Sequence, residues 1–197
     1  MSSLVTQEAP DFVAPAVVAD GEIVDDFRLK SLRGRYTILL FYPLDFTFVC
    51  PTEILAFDKR IDDFESRDCT IIGISVDSVH THAAWRRTPV TDGGIGSIRF
   101  PLVSDLSHEI AESYGVLVNN RVALRGLFLL DRNGVVRHAL INDDPIGRSV
   151  DEALRTLDAL RFYDEYGQVC PANWKNGEAA ITPTATGVVD YLSKYAG

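Results

Sequence analysis

The stretch from Tyr36 to Val76, YTILLFYPLDFTFVCPTEILAFDKRIDDFESRDCTIIGISV, decides the fold. Its first seven residues, YTILLFY, form an unbroken β-branched and aromatic run, the pattern of a strand buried on both faces. Pro51 then opens a helical stretch to about Ser66. Ile54, Phe57, Ile61 and Phe64 recur there at spacings of three and four, which lines one face of a helix, and proline is favoured at the first helical position. Thr70–Val76 (TIIGISV) reads as a second buried strand, so residues 36–76 form a βαβ unit.

Outward from this unit, Ser78–Arg87 reads as a helix, followed by a glycine-rich loop over Asp92–Ser97. Val122–Leu130 and Val135–Asn142 flank Asp131-Arg132-Asn133-Gly134, a strong hairpin turn. A long helix is predicted over Val150–Tyr166, with Ser149 as N-cap and Glu152 three residues on in capping-box position. Beyond Gly167 the chain turns irregular, and a short amphipathic segment, Val188–Tyr195, closes it. The expectation is an α/β domain over residues 1–166 and a C-terminal arm over 167–197 that belongs to the same functional unit.

Composition narrows the function. With 197 residues, 46% of them hydrophobic, the chain can bury a core without disulfide or metal staples. Nineteen Lys and Arg against 28 Asp and Glu leave a net charge of −9, which repels phosphate backbones and anionic lipid. Nucleic acid and membrane are therefore not expected partners. The longest apolar run, Ile38–Leu44, is too short to span a bilayer, and MSSLVTQEAPDF has neither the basic nor the apolar region of a secretory leader. A soluble, cytoplasmic protein is expected. The three cysteines, Cys50, Cys69 and Cys170, are odd in number and form no CxxC pair, and none of the four histidines stands in ligand spacing with them. No metal or other cofactor is expected; one or two reactive thiols are.

Cys50 is the first candidate, because it stands where a buried strand hands over to a helix. Unpaired N–H groups and the helix dipole favour an anion at that place. A free thiol is only about 3% thiolate at neutral pH, and helix starts and neighbouring cations raise that fraction. A buried structural cysteine is the bland alternative. Cys69 opens the strand TIIGISV and reads as a small buried hydrophobe.

The string around Cys50, PLDFTFVCPTE from Pro43 to Glu53, carries PxxxTxxC as Pro43, Thr47 and Cys50, and resembles the active-site signature of the peroxiredoxins. Ser75-Val76-Asp77-Ser78, Arg125-Gly126-Leu127-Phe128, Gly147-Arg148-Ser149 and Val169-Cys170-Pro171-Ala172-Asn173-Trp174 resemble further segments of the typical two-cysteine subgroup, in the expected order. The resemblance implies a thioredoxin-like fold, a central mixed sheet flanked by helices. It also implies a thiol-dependent peroxidase acting on hydrogen peroxide and small organic hydroperoxides. In that reading Cys50 attacks the peroxide, Thr47 accepts from it while donating toward sulfur, and Arg125 holds thiolate and peroxide together. Glu53 orients Arg125, Arg148 pairs with Glu53, and Pro43 shields the sulfur. By themselves, Arg125 and Arg148 read as solvated arginines, and only the resemblance promotes them; Glu53 could be a dipole partner and Thr47 a hydroxyl bonded to nearby backbone.

The same resemblance makes Cys170 the resolving cysteine, supplied by the partner subunit of a homodimer, with dimers joined into a decameric ring. Thioredoxin or a dedicated disulfide reductase then reduces the disulfide. Holdase chaperone or peroxide-sensor activity of the oligomer is the alternative. Gly93-Gly94-Ile95-Gly96 resembles the GGLG loop of members prone to overoxidation, and Tyr191-Leu192 stands where those carry Tyr-Phe. An intermediate sensitivity is implied. The partner that the resemblance gives Cys50 is an arginine, the signature contains no histidine, and a guanidinium stabilises charge without shuttling protons, which suits peroxide reduction rather than acyl transfer.

Overall fold

A computed structural model describes residues 3–195. The chain forms two compact units, one ending at Arg148 and one beginning at Ser149.

The first unit is built on a seven-stranded mixed sheet. In chain order its strands are β1 (Val13–Val17), β2 (Ile23–Arg28), β3 (Tyr36–Phe41), β4 (Cys69–Ser75), β5 (Leu102–Ser104), β8 (Arg125–Leu130) and β9 (Val136–Asn142), while β6 (Leu117–Val118) and β7 (Val122–Ala123) pair separately. Across the sheet the order is β2-β1-β5-β4-β3-β8-β9. The predicted βαβ unit is present: β3 runs parallel to β4, from Tyr36 opposite Cys69 to Phe41 opposite Ile74. β5 continues the parallel block beside β4, whereas β8 is antiparallel to β3 and β9 to β8. All six residues of β3 and all six of β8 are buried, as expected where both faces of a sheet are covered.

Between β3 and β4 the predicted helix is two: α1 (Cys50–Lys59) and α2 (Ile61–Glu65), separated at Arg60, whose ψ of 15° departs from helical geometry. The apolar face survives the break. Ile54, Phe57, Ile61 and Phe64 are all buried, and the rings of Phe57 and Phe64 stack with centroids 5.8 Å apart. The hairpin turn forms as read: Asp131 Oδ1 accepts from the N–H groups of Asn133 and Val135, and Gly134 takes the left-handed φ of 80°.

β1, β2, β5 and the short helix α4 (Glu109–Ser113) had no sequence-level expectation. β1 carries Pro15 and β2 carries Asp25 and Asp26, residue types depleted in strands. Their pairing is decided by tertiary contacts: β1 joins the sheet through β5, which lies far along the chain.

Helix α3 (Val79–Arg87) is capped by the Ser78 hydroxyl, which accepts from Thr81 N–H. It anchors the glycine-rich loop. The Trp85 indole donates to the Gly93 carbonyl at 3.1 Å, and the buried Arg86 guanidinium donates to the carbonyls of Ile98 and Phe100. A Cβ at Gly94 would lie 1.9 Å from the Thr88 carbonyl oxygen, so only glycine fits there.

The second unit starts with α5 (Val150–Tyr166), whose bounds and Ser149 cap match the sequence reading; the Ser149 hydroxyl accepts from Glu152 N–H at 3.2 Å. Gly167, at φ 66°, ends it. α5 packs with the arm that follows. The Phe162 and Trp174 rings lie 4.9 Å apart, Arg155 donates to the Trp174 carbonyl, and the Cys170 thiol faces the Ala159 carbonyl at 3.6 Å. A two-way bridge joins Val169 to Ile181, and α6 (Ala185–Tyr195) follows with Leu192 exposed. No helix among the described residues is long and apolar enough to cross a membrane.

Candidate active site

The site grows from the junction between β3 and α1. β3 ends at Phe41, the chain passes through the buried Tyr42 and Pro43, and a loop to Val49 delivers Cys50 as the first residue of α1. Val49 makes no side-chain cap; its carbonyl accepts from the N–H groups of Thr52 and Glu53. Pro51 has no N–H. The Cys50 N–H has no protein acceptor among the described residues, so a backbone donor remains beside the sulfur at the positive end of the helix.

Cys50 is 0% exposed, and Arg125 Nη1 lies 3.4 Å from its Sγ. The same Nη1 donates to Glu53 Oε2 at 2.8 Å. Arg125 is the first residue of β8, so the central sheet sets where its side chain begins. Glu53 lies one helical turn after Cys50 and reaches the same guanidinium from α1. Its carboxylate is also held by Arg148, whose backbone N and Nε both donate to Oε1, at 2.8 and 2.7 Å, while Nη2 donates to Oε2 at 3.0 Å. Arg148 Nη1 donates to the carbonyls of Phe41 and Gly126, tying the ends of β3 and β8 together.

Burial pushes the Glu53 carboxyl up, but the hydrogen bonds and charge of Arg148, with Arg125 behind them, outweigh it and hold Glu53 below the ordinary carboxylate range. Burial opposes the charge on Arg125; its bonds to Cys50 and Glu53 prevail and raise its pKa. Arg148 is lowered, because burial dominates there. Both guanidinium groups stay cationic at any physiological pH.

Thus the structure brings together Cys50, Glu53, Arg125 and Arg148 in one hydrogen-bonded cluster. Pro43 is buried in the loop leading to it. Thr47 differs from the expectation: its hydroxyl donates to the Leu44 carbonyl at 2.9 Å, a local turn bond, rather than toward sulfur. Its oxygen lone pairs remain able to accept. Cys170 belongs to the second unit, where burial pushes its thiol up against the opposing effect of Arg155. All three cysteines are free thiols. Cys69 is buried, in line with its reading as a core residue.

Two groups of residues escaped sequence reading. Asp144 accepts from Arg125 twice, through its carbonyl from Nε and through Oδ1 from Nη2 at 2.9 Å. Asp45, in the loop before Cys50, is buried and accepts from Tyr42 Oη at 2.8 Å and pairs with His82 Nδ1 at 2.7 Å. Asp77 Oδ2 in turn accepts from the Asp45 N–H and the Ser75 hydroxyl, so the loop is fixed to β4 and α3 by polar bonds. Nothing in the spacing of these residues signals the pairings of Arg125 with Asp144 and of Asp45 with Asp77 and His82, which join positions 19, 32 and 37 residues apart. No cluster of three potential metal ligands occurs among the described residues.

Comparison with known proteins accords with this geometry. Residues 5–139 match the AhpC/TSA family, and residues 159–194 match the C-terminal domain of 1-Cys peroxiredoxin. The alkyl hydroperoxide reductase C of Helicobacter pylori is 51% identical over 192 residues, covering 97% of each chain. Mouse peroxiredoxin-2 is 49% identical over 190 residues, covering 96% of this chain and 95% of its own. The reduced 2-Cys peroxiredoxin of Plasmodium vivax shares the fold with a TM-score of 0.95 at 48% identity, covering 98% of this chain and 100% of that one. With about half its residues shared along nearly its full length, and its thiol set under an arginine at a helix start, this chain belongs to the AhpC/TSA family, the peroxiredoxins.

Proposed function

We propose that the protein is a thiol-dependent peroxidase in which Cys50 is oxidised by hydrogen peroxide and small organic hydroperoxides. The observation that carries this is Arg125 Nη1, poised 3.4 Å from a fully buried sulfur and locked by Glu53. The cation stabilises sulfur as the thiolate, and the pocket provides donors where charge develops on oxygen. Sulfur attacks one peroxide oxygen, the O–O bond breaks, and the other oxygen leaves with a proton as water or an alcohol. Sulfur is thereby oxidised to the sulfenic acid and the peroxide is reduced. Four of the five Arg125 N–H groups have protein acceptors among the described residues; the fifth, on Nη2, and the Cys50 N–H supply donors to the peroxide. Thr47 accepts from the peroxide through its oxygen, and Pro43 keeps bulk water from sulfur.

Cys170 is the resolving thiol in this reading. Burial pushes its thiol up, which favours the less nucleophilic protonated form, whereas Cys50 faces Arg125; in this reading peroxide reacts first at Cys50. The Cys170 sulfur of a partner subunit then displaces water from the Cys50 sulfenic acid to form a disulfide. Thioredoxin or a dedicated disulfide reductase supplies the two electrons that restore both thiols. Dimers join into a decameric ring through the active-site loop, where Phe48 is 93% exposed, and the protein works in the cytoplasm.

Four outcomes test these assignments. Peroxide-dependent NADPH oxidation through thioredoxin reductase and thioredoxin should vanish in Cys50→Ser; full turnover in that variant would refute the mechanism. Cys170→Ser should consume one peroxide per subunit without thioredoxin-driven recycling, and should form no disulfide-linked dimer on a non-reducing gel. Leu192→Phe should lose activity at lower peroxide doses than the wild type, read from residual activity after graded exposure. Glu53→Gln should cost about 3–5 kcal/mol at pH 7, because it leaves two buried arginines without their counter-charge. Since the folded-state value of Glu53 lies below its ordinary 4.5, its stabilisation is complete above that pH and is lost as pH falls through the folded value. Urea denaturation at pH 7 and pH 3 should therefore show the gap between wild type and variant closing in acid.

A further inference from the structure

Asp144 is the one exposed member of the active-site cluster. Its side chain is 69% exposed, while those of Arg125, Glu53 and Arg148 are 2%, 3% and 0% exposed. Oδ1 sits on Arg125 Nη2, the nitrogen next to the Nη1 that faces sulfur, so a single guanidinium separates this carboxylate from the reacting atom. Asp143, also exposed, adds a second negative charge; its Oδ1 accepts from the Asp144 N–H at 2.8 Å. The exposed Asp143-Asp144-Pro145 loop thus places an acidic rim against the outer side of the arginine.

We propose that Asp144 is a specificity-determining residue that positions Arg125 from the solvent side and selects neutral hydroperoxides over those carrying a carboxylate. This rests on the peroxidase reading above. The physical basis is charge. The two cations of the cluster already face Glu53, Asp144 and the thiolate, and any anionic substrate needing the remaining donor on Nη2 approaches a nitrogen whose other N–H is paired with the Asp144 carboxylate. Like charges a few ångströms apart at a protein surface repel strongly, and salt weakens that repulsion. A neutral peroxide, whose reacting end is the same, meets no such barrier.

The test compares one probe in two charge states, a carboxylate-bearing tertiary alkyl hydroperoxide and its methyl ester, by stopped-flow oxidation of the fully reduced full-length protein. The wild type should react with the ester roughly ten times faster than with the acid at low salt, and the ratio should shrink toward one at about 0.5 M salt. Asp144→Asn keeps an oxygen for Nη2 but removes the charge, and should bring the low-salt ratio to within about threefold of one. Asp144→Ser removes the charge with a smaller side chain and should do the same. Asp26→Asn removes one exposed charge from β2 and should leave the wild-type ratio in place, which separates a local effect from net charge. If both Asp144 variants retain the wild-type ratio, or if salt leaves it unmoved, this inference is overturned while the peroxidase reading stands. If hydrogen peroxide itself fails to oxidise Cys50 in the wild type, the peroxidase reading fails and this inference falls with it.

Discussion

A single buried carboxylate organises the active site. Glu53 receives donors from Arg148 on both oxygens and from Arg125 on one, and each arginine carries a further duty. Arg125 faces the sulfur, and Arg148 ties the ends of β3 and β8 through the Phe41 and Gly126 carbonyls. Without the negative charge, two guanidinium groups would be buried side by side, a cost of several kcal/mol per ion that only a well-placed partner offsets. The carboxylate therefore has to be ionised for the site to hold its shape. The arginines ensure this by holding it below the usual carboxylate range despite burial.

The sheet explains why the cluster can be rigid. β3 and β8 are central, antiparallel neighbours buried on every residue, and one side of the site leaves from the end of each. The loop between Tyr42 and Val49 is fixed separately by Asp45, which bonds Tyr42 and His82, and by Asp77. A loop held at its own backbone and side chain presents Cys50 to Arg125 with little freedom left to lose when substrate enters, which favours reaction.

Much of this was legible in the chain. The runs YTILLFY and TIIGISV, the three-four spacing of Ile54, Phe57, Ile61 and Phe64, the Asp131–Gly134 turn and the Ser149 cap are local signals, and each is where it was expected. Cys50 at a helix start was legible for the same reason. The break at Arg60 was not, because the apolar face continues across it. Nor were β1 and β2, whose proline and aspartates argue against strands that only distant pairing with β5 secures. The cluster itself was reachable only through family resemblance, since Arg125 and Arg148 lie 72 and 95 residues from Glu53. The resemblance did not foretell that Thr47 would spend its proton on Leu44, or that Asp144 would take the outer face of Arg125.

Cys50 and Glu53 share the first turn of α1, and that shared turn has a kinetic meaning. In the proposed mechanism, a sulfur with no exposed surface would meet another cysteine by undoing this turn, and that movement would draw the carboxylate off both arginines. The machinery that polarises an oxidant would then be dismantled for as long as the disulfide persists, and rebuilt when the helix rewinds on reduction. Capture of oxidant and handover of oxidising equivalents would thus be mutually exclusive states of one helical turn.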